Sequence, residues 1–498
     1  MSIRAGSAVI GLVGVSLCAP LCASCGSDGD GTKEIVPGGA DFAGVSVDQA
    51  NVASFLGAQR QENGSFLGPL QVTPVAGGAS HMLDGQATGV NWARGTTLYY
   101  LAGAEEVNEG TPARPRGYGA LTAWIPAQAS PIQLGAIVGA FTVSQDGSAV
   151  AFIDRSSASS SAPGTLKVWS TSMCPSSCGA PITVADGVAS AAIALSDDGQ
   201  HVVLGVPKVG TSPPQIVLVS FPGGAAQTLS SDATAHAAML SADGATVAWV
   251  EGGNHIISAA TADPTQTQIV TVTTDDPTAP TVQSAIMADA THFVARVKTP
   301  GTSDPALYLV TADAVTPLGI TAPVRFATVQ QTPSDSTASG RYLFYATAQD
   351  AETGAEDLWV ADLQAPTAAP VELAVQTAGN PGFSDDGTTI RFLENEDPGT
   401  GIGDLYVASL PGGAPVLVAT GVRQSAFEPG TMTLLVQGDV DATGVGTLSS
   451  YLVGAMPTTG RVIPGVADFQ VPRASGTAIY YTQALGTESD GVYRTDLF

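Results

Sequence analysis

Charge is scarce in this 498-residue chain: Asp, Glu, Lys and Arg together make up 12% of it, far from the Glu/Lys/Leu-rich profile of a helical protein. Basic residues are the scarcer sign, 18 against 44 acidic ones, for a formal charge of -26. Such a field repels phosphate backbones, which excludes nucleic acid as a partner and suits a protein kept soluble outside the cytoplasm. Cysteine is limited to five residues and histidine to five. No Gly-x-Ser-x-Gly elbow, His-Glu-x-x-His pair or Gly-Lys-Ser/Thr phosphate loop occurs, and no α/β segment remains to carry a hydrolase domain. The expectation is a chain with no catalytic residues, no metal and no cofactor. What is plentiful is small and apolar: 44% hydrophobic residues, 58 Gly and 33 Pro, enough apolar surface for a core and too much for overall disorder.

The N-terminus sets the expected address. Arg4 supplies a positive start, residues 8–17 are apolar apart from Gly and Ser, and the stretch is too short for a membrane span. Ala23 and Ser24 precede Cys25, after which the chain turns to Ser, Asp and Gly. This resembles a bacterial lipoprotein signal, in which small residues precede a cysteine that is acylated and becomes the new N-terminus. The resemblance implies lipidation at Cys25, a signal at 1–24, a flexible tether at 25–32 and a place at the bacterial cell envelope, periplasmic or surface-exposed, held to a membrane through a lipid anchor only. Cys22 stands where an aliphatic residue is usual; Cys18 and Cys22 follow the bulky Leu17 and Leu21. An ordinary secretory signal cleaved nearby is the alternative. Beyond it lie Cys174 and Cys178, with three residues between them, for which an oxidising compartment implies a local disulfide. A zinc site would need two more ligands, and no nearby His or Cys offers them.

From residue 33 onward one pattern recurs about every 45 residues. Its clearest copies are Ser144-Gln145-Asp146-Gly147, Ser196-Asp197-Asp198-Gly199, Ser241-Ala242-Asp243-Gly244 and Ser384-Asp385-Asp386-Gly387, each between two apolar runs. Asp can accept hydrogen bonds from the backbone just ahead of it and Gly takes positive φ without steric cost, so each copy predicts a tight hairpin turn, with the four aspartates as turn formers rather than catalysts or metal ligands. A third strand follows at 166–169, 216–219, 307–310, 358–363 and 405–410, and a weaker fourth at 181–184 and 415–418. Four short antiparallel strands make one propeller blade. The units are similar to the repeats of TolB-like β-propellers, whose blades carry a Ser-Pro-Asp-Gly turn and a later strand reading Leu-Tyr-Val; Ser384 to Gly387 with Leu405-Tyr406-Val407 is the nearest copy. None of the four keeps the proline, replaced by Gln145, Asp197, Ala242 and Asp385. Sialidase blades, by contrast, read Ser-x-Asp-x-Gly-x-x-Trp, whereas here Asp is followed directly by Gly.

Units begin near Asp41, Gly89, Phe141, Ser190, His236, Val282, Val324, Gly379, Val422 and Asp468. The count of about ten allows one large ring or two smaller ones. Residues 34–42 resemble 461–469, where an outer strand runs into the next unit, and the last unit has only three strands. Lys33 to Val36 is therefore expected to supply the missing fourth and clasp a single ring shut.

The expected fold class is all-β, a propeller of about ten four-stranded repeats. The expected role is a non-catalytic scaffold binding an envelope protein, peptide or glycan through rim loops. Insertions at 103–118, 155–164 and 348–356 are the candidate contacts, the first for Arg114 and Arg116. The alternative is a lyase or hydrolase with its site at the axial opening, but the inner strands are mostly Ala, Val, Ile, Leu and Phe, and the acidic run 394–397 reads as a solvated rim loop. His201, His236 and His292 sit near equivalent hairpin places, without a converging metal set.

Overall fold

In the computed structural model, residues 32–496 are described except 38–39, 58, 61–65, 93–94, 110–113, 129, 175–177, 273–279, 303–304, 321–323, 325, 330–339, 348–355, 378–380, 398–399, 442, 454–457, 472–477 and 484–490. Cys25 and the 1–24 segment lie outside the described residues.

Six separate sheets have four antiparallel strands in simple sequential order. Blade 3 is typical: Phe141–Val143, Ala149–Arg155, Gly164–Ser170 and Ile182–Val188. The two remaining sheets each hold two blades joined by one long strand. His81–Asn91 is the outer strand of blade 1 as far as Ala87 and the inner strand of blade 2 from Thr88. Thr458–Gln470 does the same for blades 9 and 10, switching at Val466. The total is ten blades, beginning where the ten sequence units begin.

The apolar runs explain why the blades form a ring. In Ala149–Arg155, Ala149, Ala151 and Ile153 pack toward blade 4, whereas Val150 and Phe152 pack toward blade 2. Val247 and Trp249 likewise face blade 4 while Ala248 and Val250 face blade 6. Alternate side chains of a strand point to opposite faces, so a continuous apolar run is a strand buried on both. Ten apolar clusters result among the described residues, and nine of them are each shared by two blades adjacent in sequence. The tenth joins the last blade to the first: Ile35, Val36, Ala478, Tyr480 and Val492 pack on Val45 and Val52. This arrangement is a single closed ten-bladed β-propeller.

Closure depends on the clasp. Lys33–Pro37 pairs antiparallel with Gly491–Asp496, with Lys33 opposite Arg494, as the fourth strand of blade 10. Arg461 donates to the hydroxyls of Thr495 (2.8 Å) and Thr32 (3.1 Å), and Lys33 Nζ donates to the Val75 carbonyl of blade 1 (2.9 Å). The likeness between 34–42 and 461–469 thus reflects one structural role played twice.

The first strands converge on the axis. Blades touch through them, Gln424 donates to the Phe469 carbonyl (3.0 Å) and the His236 Nε2 lies 3.3 Å from the Val282 carbonyl, both contacts between first strands of neighbouring blades. Antiparallel order then fixes two faces. Turns from first to second strand and from third to fourth lie on one, the turn face; connections from second to third strand and from blade to blade lie on the other, the loop face.

The aspartates behave as turn formers. Asp146, Asp198, Asp243 and Asp386 each accept the hydroxyl of the serine two residues earlier at 2.6–2.7 Å and the N–H two residues later at 2.9–3.0 Å. That serine, itself buried, accepts the N–H that opens the second strand. For Asp243, the Ser241 hydroxyl and then the Ala245 N–H hold the carboxyl below its ordinary range. A fifth copy opens blade 1, where Ser46 donates to Asp48 at 2.5 Å and Gln49 takes the positive φ of 53° that glycine has elsewhere. The turns also stack: the Asp197 N–H, at the position of the absent proline, donates to the Ala242 carbonyl of blade 5 (2.7 Å), which proline could not do.

Val36 is 1% exposed at the seam. Val36→Asp puts an unpaired carboxylate there and is expected to destabilise the protein by about 3 kcal/mol or more, while Ile269→Asp, at a site 62% exposed, stays within about 0.5 kcal/mol of the parent. Thermal unfolding of the three proteins side by side checks this; equal midpoints would show that the seam does not hold the ring.

Candidate functional site

Of the three insertions, the first is strand rather than loop. Leu98–Glu109 and Arg114–Trp124 stay paired beyond the body of blade 2, with Glu105 opposite Tyr118, Val107 opposite Arg116 and Glu109 opposite Arg114. The backbone groups of 105–109 and 114–118 face one another as paired strands, where a loop would have left them to solvent. A register shift between Ala102 and Glu105, with Gly103 at φ 54°, lets the hairpin change course as it leaves the blade. About five extra residues on each strand, at about 3.3 Å per residue, give a projection of roughly 17 Å on the loop face.

The second insertion, 155–164, is the equivalent connection of blade 3 and lies against this hairpin. Glu109 makes the junction: one carboxylate oxygen accepts the Ser160 N–H (2.7 Å), the other the Tyr118 hydroxyl (2.9 Å). Burial pushes the Glu109 pKa up, but the donors from Ser160 and Tyr118 outweigh it and lower it to about 2. From the other side Arg155 gathers the insertion, its Nη1 donating to the carbonyls of Ser160 (2.9 Å), Ala162 (2.8 Å) and Ala189 (3.1 Å). At the base, Asp154 accepts the N–H groups of Ala136 and Ile137 and pairs with Lys167 at 2.8 Å. Hairpin and insertion therefore form one braced projection across two blades.

Both candidate contact arginines lie on the returning strand of this hairpin. Arg116 is exposed, but its Nε lies 3.9 Å from the Glu109 carboxylate, and Glu105 and Glu106 share the hairpin. Arg114 opens the returning strand opposite Glu109; its side chain lies outside the described residues. Residues 348–355 of the third insertion also lie outside them.

The acidic run 394–397 is a further correction. It continues the strand Thr389–Asp397, with Glu394 opposite Asp404 and Asp397 opposite Ile402, so a bulged strand end replaces the expected rim loop. The histidines differ as well: His201 and His292 follow turns on the turn face, whereas His236 starts its strand on the loop face. Among the described residues no three His, Cys, Asp or Glu side chains are grouped to hold a metal ion. Cys174 and Cys178 form a disulfide on the turn face of blade 3, beside the buried Trp169. No helix among the described residues is long and apolar enough to cross a membrane.

At the axis, the titratable groups among the described side chains of the first strands are His236 on blade 5 and Asp468 on blade 10. Their blades lie five apart on a ten-blade ring, so these two groups are on opposite sides of it and are not within the ~3 Å that an acid–base pair needs. The braced projection is where polar groups gather in a defined geometry.

No family model and no curated protein matches the chain. Among solved structures it is similar to a eukaryotic initiation factor (10% identity, 74% of this chain and 88% of that one, TM-score 0.45), to the C-terminal WD40 domain of Sif2 (12%, 72% and 96%, 0.37) and to TolB from Acinetobacter baumannii (17%, 53% and 61%, 0.32). With all three scores below 0.5, the ten-blade architecture rests on the chain's own strand pairing.

Because the Glu109 pKa is depressed, the junction it holds is complete above the ordinary carboxylate pKa of about 4.3 and is lost as pH falls toward about 2. Glu109→Ala should remove it at every pH. Hydrogen exchange of the peptide spanning 156–162, corrected for intrinsic rates, is expected to quicken about tenfold in the variant at pH 7. Unchanged protection would mean that Arg155 alone holds the insertion.

Proposed function

We propose that this chain is a TolB-like lipoprotein of the bacterial cell envelope, tethered through Cys25, and that its ring is a non-catalytic scaffold presenting the blade 2–blade 3 projection to a protein, peptide or glycan. One observation carries the reading: two separate insertions, 51 residues apart at the Glu109–Ser160 contact, are braced into a single feature on a rigid ring. Pre-organised projections bind with less ordering cost than loops free to move. The mixed character of the hairpin, with Glu105, Glu106 and Arg116 around Val107, suits a polar partner surface more than an apolar ligand.

Two measurements test the reading. Intact mass from the host membrane fraction is expected to begin at Cys25 plus acyl chains, with globomycin causing the precursor to accumulate; a soluble unacylated product would remove the lipoprotein part. A photo-crosslinking residue at Asn108, on the hairpin, is expected to give a discrete envelope adduct that the same residue at Gln227, on the outer strand of blade 4, does not. Equal labelling from both sites would sink the role of the projection.

A further inference from the structure

Six large apolar side chains stand exposed among the described residues: Met82, Ile269, Val371, Leu417, Leu452 and Val462. Their distribution is uneven. Val371, Leu417 and Val462 lie on the outer strands of blades 7, 8 and 9, Leu452 ends the third strand of blade 9, and Met82 lies on the outer strand of blade 1. These blades flank blade 10. Val371 and Leu417 are the first and second residues of strands that start at the turn face, Met82 is the second of its strand, and Leu452 is the last of a strand that ends there. Val462 lies midway along the outer strand of blade 9, and Ile269 is on blade 5 across the ring and near the loop face.

The chain enters the ring within this arc, at blade 10, with blades 7–9 on one side and blade 1 on the other. Lys33–Pro37 is the outer strand of blade 10 and runs from the turn face toward the loop face, so Thr32 lies at the same rim as the apolar side chains. Lys33, Arg461 and Arg494 sit at that entry, three of the 18 basic residues of a chain of charge -26. Cys25 is seven residues upstream, a length of chain that spans at most about 25 Å. An anchor on Cys25 would keep this rim within that distance of the lipid.

From this coincidence we infer that the rim arc of blades 7–9 and 1 is a lipid-contacting surface, its apolar side chains entering the membrane interface on both sides of the tether. The inference rests on the lipoprotein reading. Apolar residues flanked by cations are the composition of surfaces that lie on bilayers. The aspartates of the Ser-x-Asp-Gly turns sit at the inner ends of the blades, about three strand spacings or roughly 14 Å from the outer strands, farther than the ~8 Å over which charge is felt at physiological salt; Glu34, Glu372 and Asp496 lie on the rim itself, Asp496 paired with Arg494 at 3.0 Å. Resting on this arc turns the loop face, with the Glu109 projection, away from the membrane.

The test uses the full-length acylated protein with one added thiol, Leu452→Cys or Ile269→Cys, carrying a polarity-sensitive nitrobenzoxadiazole dye, and vesicles of phosphatidylethanolamine and phosphatidylglycerol. With the protein vesicle-bound, the dye at position 452 is expected to brighten about threefold and to be quenched by nitroxide-labelled lipid, while the dye at 269 does neither. Equal responses from both dyes on vesicle-bound, acylated protein would overturn the arc and leave the lipoprotein reading standing. Brightening at 452 that follows protein concentration without vesicles would also overturn it, assigning the arc to a second copy of the chain. Protein whose mass lacks acyl chains would refute the lipoprotein reading itself; vesicle contact at 452 in that protein would support the arc alone, and its absence would overturn both.

Discussion

Burial of the middle strands on both faces is the constraint on which everything else in this molecule depends. A sheet whose second strand reads Ala-Val-Ala-Phe-Ile from Ala149 has no face to give to water: the odd positions need one neighbour and the even positions another. A row of such sheets always leaves two raw faces at its ends. Only a ring removes them, and blade 10 can pack on blade 1 only if the N-terminal strand completes it. The seam between chain ends is thus a requirement of the same pattern that makes each blade.

The Ser-x-Asp-Gly turns serve this ring rather than a reaction. Each aspartate closes its own hairpin and the turns bond across blade boundaries, as between Asp146 and Asp197 or Asp197 and Ala242. Tyr99 of blade 2 likewise donates to the Gly147 carbonyl of blade 3, and burial, with Asp146 beside it, keeps that phenol protonated. With the inner end of the ring tied down in this way, variation is free at the other end of the strands, where connections from second to third strand can lengthen without disturbing the axis. Blades 2 and 3 use that freedom together. Their braced projection is on the loop face, and the chain entry at Thr32 is at the opposite rim.

The repeat, its period and its ten starting points were legible from residues alone because period-2 burial and Asp-Gly turn chemistry are local. So was the clasp, through the likeness of 34–42 to 461–469 and the three strands of the last unit. The turn at Ser46 escaped notice because Gln49 stands where glycine marks the other copies; the Ser-x-Asp spacing was its remaining signal. The hairpin at 103–118 escaped for a different reason: Glu, Asn, Pro and Arg spread over a strand pair look like loop composition, and only pairing with a partner strand distinguishes the two.

By itself, then, the sequence determined the strand, the turn, the blade and the identity of the closing strand, since each is settled by residues within one repeat or by direct likeness between repeats. Only the tertiary structure decided that ten blades make one ring rather than two, because this depends on which face packs on which. It also decided that Glu109 meets Ser160 rather than leaving Arg116 to dominate the hairpin, and that five of the six exposed apolar side chains among the described residues lie on blades 7–9 and 1, on either side of the blade of chain entry. Those contacts join residues tens to hundreds of positions apart, and nothing in a local pattern encodes which distant side chains a closed ring brings face to face.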